Sequence, residues 1–292
     1  MQKVERDNTV NKYKIKKIIG NVILYAVMSI LAIFLIFPFV FMINRSFMTS
    51  QDCASLDVPF FPTKWTFDAY VSLFSRHNYF KYTLNTLNII AVNIITIPLA
   101  AALCAYGFSR IDFKGRKVVF AAAMSTIMIP GSIIQVPLYV LFADLGWTES
   151  NLPLIIPGMF GGGAVNIFLL MQFMRNVPKE IESAAMIDGA GVVNRFFQIV
   201  IPLCKPIILY MMVGTFTSTW SDFYNPLIYL KNADQYTLAI RIYYDCTLTN
   251  VAAIYANVRM AAGVFMSLLP ALIFLVYQRK LVDGIMIGAI KA

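Results

Sequence analysis

Apolar residues run along this chain in long unbroken blocks. Stretches without Asp, Glu, Lys or Arg cover Ile18–Asn44, Tyr82–Ser109, Val118–Ala143, Leu152–Met174, Pro206–Ser221 and Met260–Gln278. A membrane-spanning helix needs about 20 such residues, because the hydrocarbon core is about 30 Å thick and each residue rises about 1.5 Å. The fifth block is short, but apolar sequence resumes after Asp222 and runs to Leu230. The pattern predicts six transmembrane helices and an all-α polytopic membrane protein. A closed β-barrel is excluded, since its strands alternate apolar and polar positions.

Composition points the same way. The 292 residues are 59% hydrophobic and 13% charged, with a mean hydropathy of +0.69; a soluble domain carries about a quarter charged residues. Six helices place both termini on one side. That side holds 17 of the 24 Lys and Arg, and the opposite side 7. Cytoplasmic loops are the ones enriched in Lys and Arg, so both termini are expected in the cytoplasm. The net charge of +9 then reflects topology and attraction to anionic lipid rather than nucleic-acid binding. Residues 1–17 read as a cytoplasmic leader, 18–278 as the transmembrane domain and 279–292 as a cytoplasmic tail. The long polar leader and the length of the first apolar block argue against a cleaved signal peptide.

The loops are unequal. Segments 45–81 and 231–259 fall outside and 175–205 inside, all three long enough to serve as docking surfaces. "VPFFPTKWTFDAY" in the first is rich in aromatics, which suits an interfacial belt or a ligand contact. "GMFGGGAVN" puts Gly158, Gly161, Gly162 and Gly163 inside the fourth block, for close packing or as a hinge. Four cysteines and one histidine, His77, give no metal-ligand spacing. Cys53 and Cys246 share the outer side, and whether they pair is left open.

Within the inner loop, "PKEIESAAMIDGAG" reads as a short helix over 178–191. Pro178 suits the first turn, Glu180 and Glu182 favour the positive end of the helix dipole, and Gly189 and Gly191 offer stops. Ile181, Ala184 and Ala185 share a small apolar face. Such a face fits either a docking protein or the membrane surface.

Ionisable groups inside spans are costly and often functional. Asp222 is the single candidate, near the outer end of the fifth block; its alternatives are to cap a helix or to pair with Lys231 or Arg259. Trp220, Tyr224 and Asn225 beside it suit a sugar, whose C–H face stacks on rings and whose hydroxyls bond amides and carboxylates. Gln135 and Tyr139 in the third block are further candidates for a substrate path. Interhelical hydrogen bonding is the alternative for them and for Asn85, Asn88 and Asn93.

"ESAAMIDGA" followed by "IVIP" resembles the EAA motif of ABC-importer permeases, E-A-A, three residues, G, nine residues, I-x-L-P. Ala184, Ala185, Asp188, Gly189 and Pro202 stand in register, and Ile201 replaces the usual Leu. Ser183 occupies the position of the motif's Glu, with Glu182 one residue earlier, so a salt bridge made by that Glu is lost or shifted to Glu182. "PTKWTFDAY", "CAYGFSRIDFKGRK", "IMIPGSIIQVPLYVLFADLGW", "TWSDFYNPLIYL" and "QRKLVDGIMIGAIKA" extend the resemblance over nearly the whole chain, to the carbohydrate-uptake, maltose-type branch. Trp220–Ser221–Asp222 stands where that branch has W-N-D, and Gly288–Ala289–Ile290–Lys291–Ala292 where it has G-A-x-K-G.

The resemblance implies the type I importer permease fold, in a bacterial cytoplasmic membrane. It implies half of a translocation path for a carbohydrate, an oligosaccharide by preference. The partners it implies are a second permease, two ATP-binding subunits and an extracytoplasmic solute-binding protein. Helix 178–191 becomes the coupling helix, with Glu180, Glu182, Ser183, Ala184, Ala185, Asp188, Gly189 and Pro202 at the contact with the ATPase. No GxxxxGK[ST] phosphate loop occurs, so ATP and Mg belong to the partners, and no cofactor is expected on this chain. An importer permease for a non-sugar solute, an ion-coupled transporter and a membrane scaffold remain the alternatives.

Overall fold

The computed structural model describes residues 2–55, 57, 59–76, 78–247 and 256–289, with side chains between residues 17 and 278 apart from Arg76. His77, residues 248–255 of the outer loop and residues 290–292 of the tail motif lie outside the described residues. The described residues are helical and include no strand. The chain divides into two compact units, residues 1–76 with 251–265 and residues 77–250 with 266–292.

In the first unit, α1 (Gln2–Ser46) contains the first span, Lys17–Ser46. Its apolar side chains are bare, Ile33 and Phe34 among them. Such a surface requires lipid or another chain against it. α2 (Ser50–Ala54) is capped by Thr49, whose hydroxyl accepts from the Asp52 amide. α3 (Asp68–Arg76) follows. Phe47 gathers Trp65, Phe67 and Tyr70 at ring distances of 5.3–5.7 Å, and the buried Asn257 donates to Met48 O. The aromatic loop therefore folds onto the end of its own span, leaving Phe60, Phe61, Trp65 and Phe67 exposed. Cys53 is a buried free thiol.

The second unit is built on α4 (Tyr79–Arg110), capped by Asn78. The expected third span divides into α5 (Arg116–Ser125), which runs on as a tight turn to Met128, and α6 (Gly131–Asp144), bent by 99°. Pro130 explains the bend. It lacks an amide hydrogen and forces the preceding residue out of helical geometry, and Ile129 is extended at ψ 116°. The fourth span comprises α7 (Leu152–Met159) and α8 (Ala164–Arg175), separated by Gly161, Gly162 and Gly163, all at positive φ. α9 (Lys179–Ile187) and α10 (Val192–Leu203, with a π-helical turn at Arg195–Val200) lead into α11 (Lys205–Ser221). α10 and α11 meet at 77° across Cys204, beside Pro202 and Pro206, so the fifth span is entered through an angled helix instead of beginning at Pro206. α12 (Tyr224–Tyr229), α13 (Leu238–Thr247) and α14 (Ala256–Ala289) complete the chain.

Among the described residues, four helices are long and apolar enough to cross a membrane, and up to six spans result when each bent pair counts as one. The core explains the packing. Ala101, Ala102 and Ala105 of α4 let Leu170, Met171 and Met174 of α8, Met211 of α11, and Phe196 and Val200 of α10 come close. Small residues permit such approach where the hydrophobic effect does not drive helices together. Gly162 shows the same device at its limit: a Cβ there would lie 2.4 Å from Ile97 O.

Candidate functional site

α9 begins after Pro178, whose extended backbone makes it the N-cap rather than the first helical residue. The helix ends in a Schellman motif. The Gly189 amide donates to Met186 O (3.1 Å) and the Ala190 amide to Ala185 O (2.9 Å), with Gly189 at φ +85°. Gly189 is therefore a stop signal, as its place in the sequence suggested. Gly191 is not a second one; it is extended and starts α10.

Of the nine residues of α9, Glu182 is the one that is buried. Its Oε1 lies 2.7 Å from Arg110 Nε, with side chains 7% and 5% exposed. The contact is an ion pair without the in-line geometry of a hydrogen bond. Tyr106 donates its hydroxyl to the other carboxylate oxygen at 3.1 Å. Arg110 Nη2 donates to Met174 O (2.7 Å), in the last turn of α8, and to Val177 O (2.8 Å), just beyond it. Phe196 of α10 packs edge-on against Tyr106 at 5.2 Å. Beside this cluster is a cavity of about 170 Å³, walled also by Lys179, Ser183, Val192 and Arg195.

The other face of α9 is open. Ile187 is 85% exposed, Met186, Ile181 and Val193 are exposed with it, and Phe197 is half-exposed. Ala184 is exposed and Ala185 half-buried. The surface is thus larger and more hydrophobic than the shallow alanine face expected, with Ile187, five residues on from Glu182, turned away from the buried carboxylate. Glu180, Ser183, Asp188 and Pro202 are also exposed, and Ser183 spends its hydroxyl on Lys179 O.

The expected path residues separate. Asp222 and Asn225 line a cleft of about 240 Å³ together with Asn93, Thr219, Tyr229 and Thr237. Asp222 also caps α12: its Oδ1 accepts from the Tyr224 and Asn225 amides and its Oδ2 from Asn225 Nδ2. Lys231 makes no pair with it and lies over the Tyr139 ring instead. Trp220 is 3% exposed, stacked on Phe216, and donates its indole N–H to Met266 O, so it is a packing residue that lines neither cavity. Tyr224 is exposed, and Gln135 lies on α6 away from the cleft lining. Asn93 donates to Leu154 O, the interhelical role considered for it.

A larger groove of about 830 Å³ lies between α4, α8, α11 and α14 and was not anticipated. Its wall is apolar with scattered hydroxyls and amides: Asn166, Tyr210, Thr217, Ser218 and Gln278. The signal was present as polar residues spaced through α11, hidden by their individual unremarkable types. Tyr106 and Arg110 were also missed as site residues; Arg110 stood out only as one of many inside cations. On α13, Arg241 is held above its ordinary range by the Asp245 carboxylate, which also accepts from Tyr79.

Residues 94–286 match the profile of a family described as the binding-protein-dependent transport system inner membrane component. The chain belongs to this family. It is a membrane subunit of a transport system that depends on a binding protein, and not an enzyme. Among its relatives, the inner membrane ABC transporter permease protein YcjP of Escherichia coli is 27% identical, covering 94% of this chain and 98% of that one. The galactooligosaccharides transport system permease protein GanQ of Bacillus subtilis is 28% identical over 95% and 98%. The diacetylchitobiose uptake system permease protein DasC of Streptomyces coelicolor is 29% identical over 90% and 94%. Among solved structures, a bacterial ABC transporter that imports the acidic polysaccharide alginate has the same fold, with a TM-score of 0.78 at 20% identity over 90% of this chain and 96% of that one.

Proposed function

We propose that this chain is the permease subunit of an ATP-driven importer for an oligosaccharide, pairing with a second permease, two ATP-binding subunits and a solute-binding protein. The observation that carries the coupling half of this reading is α9: an exposed apolar helix in a charged loop, joined to the spans by a buried ion pair. A helix so exposed suits a protein docked against it. ATP and Mg reside on that partner. The names of the sugar-transporting relatives support the cargo class. The 830 Å³ groove suits a wall of the path, since its hydroxyls and amides offer hydrogen bonds without fixed charge. The cleft at Asp222 and Asn225 lies at the other end of α11 from α9.

The test is purification of the tagged chain from its native membrane, reconstitution with the proteins that accompany it, and uptake of labelled galacto- and arabino-oligosaccharides. Uptake that requires ATP and persists without an ion gradient supports the reading. Uptake that follows a proton or sodium gradient, or a complex transporting amino acids but no sugar, overturns it.

A further inference from the structure

We infer that Arg110 is the positioning residue that fastens α9 to the spans, and that the Arg110–Glu182–Tyr106 cluster is the strut through which a push on α9 reaches α4 and α8. This rests on the proposed docking of an ATP-binding partner at α9 and says how that site conveys force.

The hold on α9 is narrow. Glu182 is its one buried residue, so the helix body is attached to the spans chiefly through that carboxylate. Both partners of Glu182 come from α4 and stand one helical turn apart, Tyr106 and Arg110. Arg110 then ties α4 to α8 through Met174 O and Val177 O. One guanidinium touches three segments that ordinary apolar packing would let slide past one another. The planar fork of arginine fixes direction as well as distance, which a lysine ammonium does not. The segment returning from α9 is held at the same place, since Phe196 packs on the Tyr106 ring.

The surroundings suit transmission rather than simple anchoring. A charge pair this deeply buried resists separation, because either charge left alone is strongly unfavourable. Yet the cluster borders a cavity of about 170 Å³, so it has room to tilt as a unit without being pulled apart. Force on the exposed Ile187 and Met186 therefore has a stiff route to the end of α4 and the last turn of α8.

The experiment uses the whole importer in vesicles, with binding protein and sugar outside and ATP inside, and reads sugar molecules imported per ATP hydrolysed. Glu182→Gln and Arg110→Lys should keep the ATP-binding subunits bound and hydrolysing while this ratio falls about tenfold, the scale of about 1.4 kcal/mol of lost coupling. Tyr106→Phe, which removes one hydroxyl and keeps the ring against Phe196, should lower it severalfold. The double reversal Arg110→Glu with Glu182→Arg should exceed both single reversals. A wild-type ratio in both Glu182→Gln and Tyr106→Phe overturns the strut, as does a double reversal no better than its worse single. Loss of the ATP-binding subunits from Glu182→Gln also overturns it, for the pair would then serve docking instead. If the wild-type chain itself retains no ATP-binding subunit, the proposed function fails first and the strut falls with it, an outcome distinct from the failure of the variants alone.

Discussion

Gly189 illustrates how one residue serves both fold and contact. At φ +85° it closes α9, and the space where a Cβ would stand is open. Gly189→Ala therefore meets no clash and carries only the left-handed backbone cost, about 1–2 kcal/mol. We expect a modest drop in melting temperature in detergent and normal association with the ATP-binding subunit. Gly189→Arg adds a long cation beside Met186 and Ile187. It should leave the spans folded and abolish copurification of that subunit; normal copurification would show that the end of α9 is not at the contact. Glu182 behaves differently. Glu182→Ala leaves Arg110 buried without its counter-charge, which costs about 3–5 kcal/mol. Its thermal unfolding should therefore come well below that of Gly189→Ala, and equal melting temperatures would mean that water reaches Arg110.

At the scale of elements, the three glycines between α7 and α8 are not equivalent. Gly162 has φ +66° and its missing Cβ would meet Ile97 O at 2.4 Å, whereas Gly163 has φ +89° and open space. Gly162→Ala should lose about 1–3 kcal/mol from overpacking beyond the backbone strain that Gly163→Ala also bears. Comparing the two in thermal unfolding isolates the helix–helix contact from the break itself; equal losses would deny the close approach to α4. The exposed face of α9 makes the complementary point. Ile187→Asp removes a side chain that is 85% exposed, so stability should change by no more than about 0.5 kcal/mol. Association with the ATP-binding subunit should fall sharply, measured by copurification or pull-down, and unaltered association would place docking elsewhere.

For the whole molecule, the distribution of Lys and Arg sets a testable topology. In a cysteine-free background, Lys114→Cys and Val193→Cys should be labelled by an impermeant maleimide only in inside-out vesicles, and Trp65→Cys only in right-side-out ones. All three side chains are accessible or face open loops, so burial does not confound the result. Labelling of Trp65→Cys and Val193→Cys from one side would break the six-span arrangement. The bare surface of α1 adds a second whole-molecule property: the isolated chain needs lipid or detergent to stay dispersed, because the most apolar stretch of that span is wholly exposed.

The sequence by itself determined the class, the number of apolar blocks and the place of α9. Each follows from local quantities: the length of a charge-free run and the stop made by a glycine after a helix. The spacing of the motif around Ala184, Ala185 and Gly189 also needed no coordinates. Only tertiary structure decided which side chains act together. Arg110 and Glu182 lie 72 positions apart, and nothing in their identities announces that they pair at 2.7 Å. Trp220 fills a core, and Asp222 both lines a cleft and caps a helix, because a packed indole, a cleft wall and a cap are defined by partners that periodicity does not specify. The bends at 99° and 77° likewise make one apolar run into two helices, since hydropathy records burial in lipid but not the direction of the chain.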